Sequence, residues 1–593
     1  MLYDIVNYRV MRDGLRRSPG AALFGAQGDV NDTPYVDIVV FWQTDGSQVP
    51  CLLTSRFFYT INAYSAPTAT GWDYTTGTCN VSGVTVTAVG GGDSEDWDAT
   101  NHCLGYDSTG ATGCVSHNGR GDWIRFNGAG NWYEIEKISS GTALTLATSA
   151  GTISGATFEI RRCFHPDNVH LLDWTVCPDP DADPLEYQLY ITDYERQPLV
   201  YDSGGDSFAL HTQKDEDAGA LDYVCGCMCY YGERLWIGNL IEDGSEYYQQ
   251  RIRWSDVGDP QTFTSTSFID LPYTSSEIMR IVPMGSLLVV YFVDCIYLGR
   301  ASSDPNLPYV FFRVETGGVG LTGVRAVCEA LNGNMFLGKD DVYFLSSEGL
   351  RPLNAPDELI EGCSQKNRVY LVIDPERNRL IVGTPISGGQ MTDLWCYNFK
   401  TDAWSRDTAF GYTFLAAPIF QGDYSWNDLT DSGILSDDSW NVGMVDIPSW
   451  SSLSNPHEVR SVFAGDNSGY IHQFLDSSGT VNSTSVPQEI VTGDMDFNAP
   501  ERDKAFTMVR MRLREIISQS IDFIVCSSDD SGESWKVLGA LRILAGKREG
   551  KLNFRKIGST MRFKFLTFTR TPEYTVVEIS FRVAIRGEEV EIE

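Results

Sequence analysis

At 593 residues the chain is well past the size at which one hydrophobic core stops growing, so several domains are expected. Its 45 Lys+Arg against 79 Asp+Glu leave a net charge of −34, which disfavours general binding to nucleic acid or an anionic membrane, because neutralising phosphates takes lysine and arginine. A composition of 42% hydrophobic and 21% charged residues with 56 glycines excludes global disorder and suits strands joined by turns.

The first 20 residues are polar and basic, without the apolar core of a signal peptide, and no run approaches about 18 to 20 apolar residues. Neither secretion nor membrane insertion is expected. From Tyr35 to Asp476, short apolar or alternating runs of strand length recur, each followed by a turn rich in Gly, Asp, Asn or Ser: 36–42, 51–62, 188–192, 234–239, 286–299, 334–346, 379–383, 394–399 and 460–474. Several share one grammar, as in "CLLTSRFFYTIN" from Cys51, "MGSLLVVYFVDCIYLGR" from Met284, "LNGNMFLGKDDVYFLSSEGL" from Leu331 and "SVFAGDNSGYIHQFL" from Ser461. Degenerate repetition near the roughly 40 to 50 residues of a propeller blade predicts an all-β chain built on a β-propeller of about six to seven blades.

Two segments break the grammar. It stops at Asn62 and resumes near His165, and the intervening Gly-rich stretch with "GDWIRFNGAGNWYEIEKISSGTALTLATSAGTISGATFEIRR" predicts a small β domain inserted in a loop. After Gly479 come longer alternating strands, "AFTMVRMRLREI", "IDFIVCSSDDSGESWKVL", "MRFKFLTFT" and "TVVEISFRVAIRG", which predict a C-terminal β-sandwich-like platform domain. The expected division is 1–70 for an N-terminal segment with the first propeller strands, 71–163 for the insertion, 164–484 for the propeller and 485–593 for the sandwich. Residues 501–593 hold 17 Lys+Arg and 14 Asp+Glu, a net of +3, leaving 28 against 65, or −37, for residues 1–500. A near-neutral end on an acidic body suggests that the end docks while the body stays soluble.

The chemistry-bearing candidates mostly read as fold. Fourteen cysteines show neither a secreted disulfide framework nor paired CxxC units. In "VCGCMCYYG" the alternation of Cys225, Cys227 and Cys229 puts three thiols on one strand face as small hydrophobes, since a thiolate site needs ligands converging from several directions. The seven histidines form no HExxH or close pair, so no metal site is expected. "GGGD" at Gly90 and "GGVG" at Gly317 lack the helix and lysine of a phosphate loop, and no cofactor is expected. "PDPDADP" from Pro178 lacks the order of a calcium loop and reads as a solvated turn. "SSDDSGESW", 527–535, has the form of a sialidase-type Asp-box, a hairpin-closing motif in which Asp530 bonds turn amides, Gly532 permits positive φ and Trp535 packs beneath. No catalytic residue can be assigned, and a glycosidase would need a carboxylate pair or nucleophile besides. Arg510, Arg512 and Arg514 alternate on a predicted strand and are the candidate interface with an acidic neighbour, the alternative being a solvated sheet face.

Two passages resemble a family. "RIRWSDVGDPQTFTSTSFIDLP" from Arg251, an apolar hairpin, and then "YVFFRVETGGVGLTGVRAVCEALNGNMFLGKDDVYFLSSEGLRPL" resemble β-propeller proteins encoded among phage tail genes, and "RDGLRRSPG" from Arg12 is similar to a motif near their start. The insertion resembles small β modules of phage proteins through residues 84–88, Trp97, Gly121, Asp122, Ile124, Trp132, Tyr133, Ile135, Ile138 and 144–146. The resemblance implies the tail nozzle, or tail tubular, protein of a short-tailed phage. Such a subunit is a non-enzymatic virion component assembled in the host cytoplasm, a homohexamer below the tail adaptor with tail fibre, needle or other tail proteins around it. DNA would pass its lumen without sequence-specific binding. The alternative is a glycan-binding or glycan-cleaving host-recognition propeller.

Overall fold

The computed structural model describes the chain from Leu2 to Ile592 with gaps, the longest at 98–120 and 423–456 and shorter ones that include 24–34, 61–67, 70–76, 90–96, 165–171 and 180–186. The chain is all-β, and its largest part is a propeller. Five four-stranded antiparallel sheets follow in order. Blade 1 comprises Tyr35–Trp42, Gln48–Thr54, Phe58–Thr60 and Thr68–Ala69. Blade 2 comprises Asp173–Pro178, Tyr187–Thr192, Leu199–Asp202 and Ser207–Leu210. Blade 3 comprises Val224–Tyr231, Arg234–Glu242, Glu246–Trp254 and Phe268–Asp270. Blade 4 comprises Ile278–Met284, Leu287–Phe292, Ile296–Asp304 and Leu307–Arg313, and blade 5 Val327–Ala330, Gly333–Leu337, Val342–Ser346 and Gly349–Pro352.

Blades 6 and 7 share a strand. Tyr370–Asp374, Arg379–Pro385 and Met391–Asn398 pair in succession, Met391–Asn398 then pairs with Ala403–Ala416, and the last residues of that strand, Tyr412 to Ala416, pair on with Phe463–Asp466. Gly411, at φ 77°, supplies the change of direction that a side chain would resist. Ile471–Leu475 and then Gly20–Leu23 complete blade 7, so residues some 450 positions apart in the chain close the ring. Five separate sheets and these two make seven blades. Their first strands pack in succession around the ring, from Asp173–Pro178 through to Ala403–Ala416, which meets Tyr35–Trp42.

Turn chemistry fixes the hairpins locally. Gly232 and Glu233, at φ 60° and 59°, form the two-residue turn between paired Tyr231 and Arg234, the positive φ at both positions being what a type I′ turn requires. Apolar residues on both faces of each inner strand then fill the spaces between blades. Cys227, Trp236 and Trp254 of blade 3 meet Ile281, Leu288 and Phe292 of blade 4, while Val39 and Leu53 of blade 1 meet Leu189 and Tyr201 of blade 2.

Between blades 1 and 2 the chain makes a closed six-stranded barrel, Thr78–Ser82, Thr85–Ala88, Trp123–Phe126, Tyr133–Ser140, Ala143–Leu146 and Thr152–Arg161. Trp97 is fully buried inside it, edge-on to Phe158 at 5.5 Å.

The C-terminal part is a two-sheet sandwich that borrows the chain's start. One sheet orders Leu2–Val6, Gln488–Thr492, Arg562–Thr567, Ile521–Ser528 and Lys536–Ile543. The other orders Tyr8–Met11, Gly14–Arg17, Thr575–Ile585, Lys504–Leu513 and Glu549–Gly558, with Glu588–Ile592 on Thr575–Ile585. Tyr8, Leu15, Phe506, Val509, Phe563 and Phe581 lie in the core between them. Asn7, at φ 61°, is where the chain crosses from one sheet to the other. Its amide donates to Arg406 O (2.7 Å) and its Oδ1 accepts from Thr408 N (2.7 Å), which ties the sandwich to blade 6.

Candidate functional site

The residues carrying the family resemblance sit where backbone geometry demands them. In the 254–260 turn, Ser255 Oγ accepts from Leu235 N (2.9 Å), Gly258 at φ 74° donates to Glu233 O (2.7 Å), and Asp259 Oδ1 accepts from Gln261 N (2.9 Å). Pro260 O accepts from Nε2 of the buried His211 (3.1 Å), which links the turn to the end of blade 2. Burial lowers the His211 pKa to about 4, so the imidazole is neutral near pH 7. Just before the turn, Glu242 accepts from Arg251 (3.0 Å) and Arg253 (2.8 Å), all three being nearly buried, and Arg251 also holds Asp270 (2.7 Å). In the barrel, a side chain at Gly121 would come within 1.9 Å of Ile135 O, so only glycine fits. The fully buried Asp122 accepts from Cys163 N (2.9 Å), where the chain leaves the barrel. Both motifs are devices for joining sheets.

The propeller axis holds a charged cluster that local sequence does not announce. Arg325, in the approach to blade 5, puts Nη1 2.9 Å from Asp37 Oδ2 of blade 1 and donates through Nη2 to Leu172 O beside blade 2 (2.5 Å). Blade 5 stands across a seven-membered ring from blades 1 and 2, so this guanidinium lies across the axis. Trp174 Nε1 donates to the same Asp37 oxygen (2.9 Å). A second group lies alongside. Arg280 of blade 4 donates to Val324 O (3.0 Å) and stands 3.6 Å from Asp173 of blade 2. Asp173 is 1% exposed; its Oδ2 accepts from Met228 N (3.0 Å), whereas Oδ1 takes no hydrogen bond among the described residues. Glu329 of blade 5 is solvent-accessible, yet partial burial raises its carboxyl above the usual range, with Arg280 opposing the shift.

Sequence reasoning missed all five of these charged residues, because they converge only in space. A usable signal exists all the same: single charges inside otherwise apolar inner strands, as in "YVDIVV" (35–40), "LLDWTV" (171–176), "IMRIVP" (278–283) and "VCEA" (327–330).

The residues singled out from sequence fall elsewhere. Cys225, Cys227 and Cys229 lie buried on the inner strand of blade 3, packed towards blades 2 and 4. Burial pushes the thiols up, Cys225 to about 12, with Asp173 also raising Cys227 and Cys229. Among the described residues no group of His, Cys, Asp and Glu is arranged to hold a metal ion. The Asp-box closes the hairpin between Ile521–Ser528 and Lys536–Ile543. Ser528 Oγ donates to Asp530 Oδ1 (2.5 Å) and accepts from Gly532 N (2.8 Å), Asp530 Oδ1 also accepts from Ser534 N (2.9 Å), and the bonds from Ser528 and Ser534 hold the Asp530 carboxyl well below its usual range. Of the three arginines, Arg510 and Arg512 lie on Lys504–Leu513 and Arg514 just beyond it. Arg510 (3.0 Å) and Arg512 (2.8 Å) both reach Glu578 on the neighbouring strand, and the Arg512 side chain keeps 56% exposure. The loop around Pro178 falls largely outside the described residues, and the "GGGD" cluster does so entirely. No described helix is long and apolar enough to cross a membrane.

No family model and no curated protein sequence matches the chain. Several solved structures are similar at very low identity. An exo-β-1,3-galactanase from Phanerochaete chrysosporium aligns at 9% identity and a TM-score of 0.21, over 62% of this chain and 98% of that one. The extracellular domain of a one component system from B. thetaiotaomicron aligns at 10% and 0.28, over 99% and 85%. PorZ, a surface component of the type-IX secretion system of Porphyromonas gingivalis, aligns at 10% and 0.29, over 99% and 86%. At such scores nothing about activity or partners follows from them.

Proposed function

We propose that the chain is a structural virion protein, a tail nozzle subunit whose ring continues and closes the DNA ejection channel of a short-tailed phage. The observation that carries this reading is the use made of buried charge. Arg325 is spent on bridging blade 5 to blades 1 and 2, and Arg251, Arg253 and Glu242 on one another. Such pairs tie one part of a wall to another. The resemblance on the 254–260 turn and on Gly121 and Asp122 adds to it, since those residues hold sheets together. The acidic body, −37 over residues 1–500, suits a surface past which DNA slides without sticking. DNA would run through a lumen formed between copies, since Arg325 crosses each propeller's own axis. In this reading six copies assemble in the host cytoplasm below a tail adaptor, with fibre, needle or other tail proteins around them. Negative-stain imaging of purified protein and of virions tests it: six-fold rings located in the tail are expected, and a monomer absent from virions would reject it.

A second reading, a host-recognition propeller that binds or cleaves glycans, is favoured by one specific feature. Glu329 carries a carboxyl raised by partial burial, with Arg280 opposing the shift and itself 3.6 Å from Asp173, and a glycosidase needs one carboxyl kept protonated together with a second. Under that reading purified protein shortens a host polysaccharide and Glu329→Gln abolishes the activity while leaving thermal stability unchanged.

A further inference from the structure

One end of the sandwich departs from the rest of the acidic chain. Two loops meet there: 514–520, between Lys504–Leu513 and Ile521–Ser528, and 544–548, between Lys536–Ile543 and Glu549–Gly558. They are bonded together, Gly546 N donating to Ile517 O (2.9 Å), Ala545 N to Ser520 Oγ (3.1 Å) and Leu513 N to Arg548 O (2.7 Å). Within the second loop Lys547 N donates to Leu544 O (3.0 Å) around Gly546 at φ 77°, the positive φ a type II turn needs at its third position. The tip is therefore preformed.

What it displays is unusual for this chain. Ile516 is 60% exposed and Leu544 54% exposed, one on each loop. Beside them Lys547 and Arg548 are exposed. Of the nearby acids among the described residues, Glu515 turns inward, its carboxylate accepting from Thr575 N (2.6 Å) and Thr575 Oγ1 (3.0 Å), Asp522 is held by Arg542 (2.6 Å) and Glu578 by Arg510 and Arg512, which leaves Glu549 as an exposed opposing charge.

We propose that this tip docks on an anionic lipid surface, with Ile516 and Leu544 entering the headgroup boundary and Lys547 and Arg548 facing lipid phosphates. Two protruding aliphatic side chains on loop tips form no groove for a folded partner, whereas a fluid interface closes around them, and the basic rim is complementary to its charge. The net charge of −34 does not cancel this attraction. Leu2–Val6 is the sandwich strand that abuts blade 6, pairing with it through Val6 and Arg406, and Lys536–Ile543 is the far edge, four strand spacings away. That is roughly 19 Å, about two Debye lengths at physiological ionic strength, so the propeller's charge is largely screened at the tip. The site is compatible with a tail subunit and with a host-recognition propeller alike.

The test is co-sedimentation of the full chain with vesicles of phosphatidylcholine alone or with about one third phosphatidylglycerol. Binding to the anionic vesicles only, weakened by salt, is expected. Lys547→Glu with Arg548→Glu should lower it about a hundredfold or more, because each nearby cation contributes about a fivefold factor and reversal doubles the change. Ile516→Ser with Leu544→Ser should lower it at least about tenfold. Melting curves of both variants, expected to match the parent, show that the fold survives these loop changes. No binding, equal binding to both vesicle types, or binding kept in both variants would overturn the proposal. So would a change of oligomeric state in either variant, which would make the tip a contact between copies.

Discussion

Propeller and sandwich handle charge in opposite ways. In the propeller, Arg379 (2% side-chain exposure) lies between Asp374 (0%) at 3.0 Å and Asp407 (11%) at 3.1 Å, and Arg325 reaches Asp37 under similar burial. In the sandwich, Arg542 and Asp522 pair at 62% and 46% exposure, and Arg512 meets Glu578 at 56% and 13%. The first kind includes a link across the axis, Arg325 to Asp37, and a cluster within blade 6, where Arg379 joins Asp374 on the adjacent strand to Asp407 two strands away. The second joins neighbouring strands that the backbone ladder already holds. Buried pairs can thus specify how blades meet even where their net contribution to stability is small, because breaking one strands a charge away from water. Exposed pairs leave the sandwich surface free to serve contacts.

The largest effect that would separate the two regions is expected at the blade 6 cluster. Asp374→Ala leaves Arg377 and Arg379 without their shared carboxylate and should cost about 3–5 kcal/mol in a denaturant titration. Arg325→Met, which strands Asp37, should cost about 3 kcal/mol, and restoring the loss with Asp37→Asn in the same chain would show that the pair acts as a unit.

A pH series sharpens the contrast. The folded pKa of His211, about 4, lies below the ordinary value of 6.5, so the unfolded chain binds the extra proton between the two. Stability is therefore full above about pH 6.5 and falls as the pH drops towards 4, by at most about 3 kcal/mol from this group. Melting temperatures from pH 7 to pH 4.5 should show the decline, and His211→Gln should flatten it. Gly121→Ala, which forces a methyl group against Ile135 O, should cost about 1–3 kcal/mol and act on the barrel. At the small end, Asp522→Asn in the sandwich should leave the melting temperature unchanged within error.

The strands and their turns were legible because both are local. "LNGNMFLGKDDVYFLSSEGL" became three strands of blade 5, and the alternation around Arg510 and Arg512 became one strand face. Blade 7 was harder to count, being assembled from the end of Ala403–Ala416, from Phe463–Asp466 and Ile471–Leu475, and from Gly20–Leu23. Nothing local in "GAAL" says which sheet it joins, and nothing in "YRVM" (8–11) says that it lies in the sandwich. The axial charges stayed hidden for the same reason. Asp37, Asp173, Arg280, Arg325 and Glu329 come from four blades, and sequence spacing carries no information about a meeting across a ring.

The reading of the chain as a wall element rests on its assembling into a ring, and direct imaging tests that most sharply. Electron micrographs of the purified full chain and of virions should show six-fold rings with propellers arranged around a lumen, sited in the tail. A monodisperse monomer that is absent from virions and shortens a host polysaccharide through Glu329 would contradict the account.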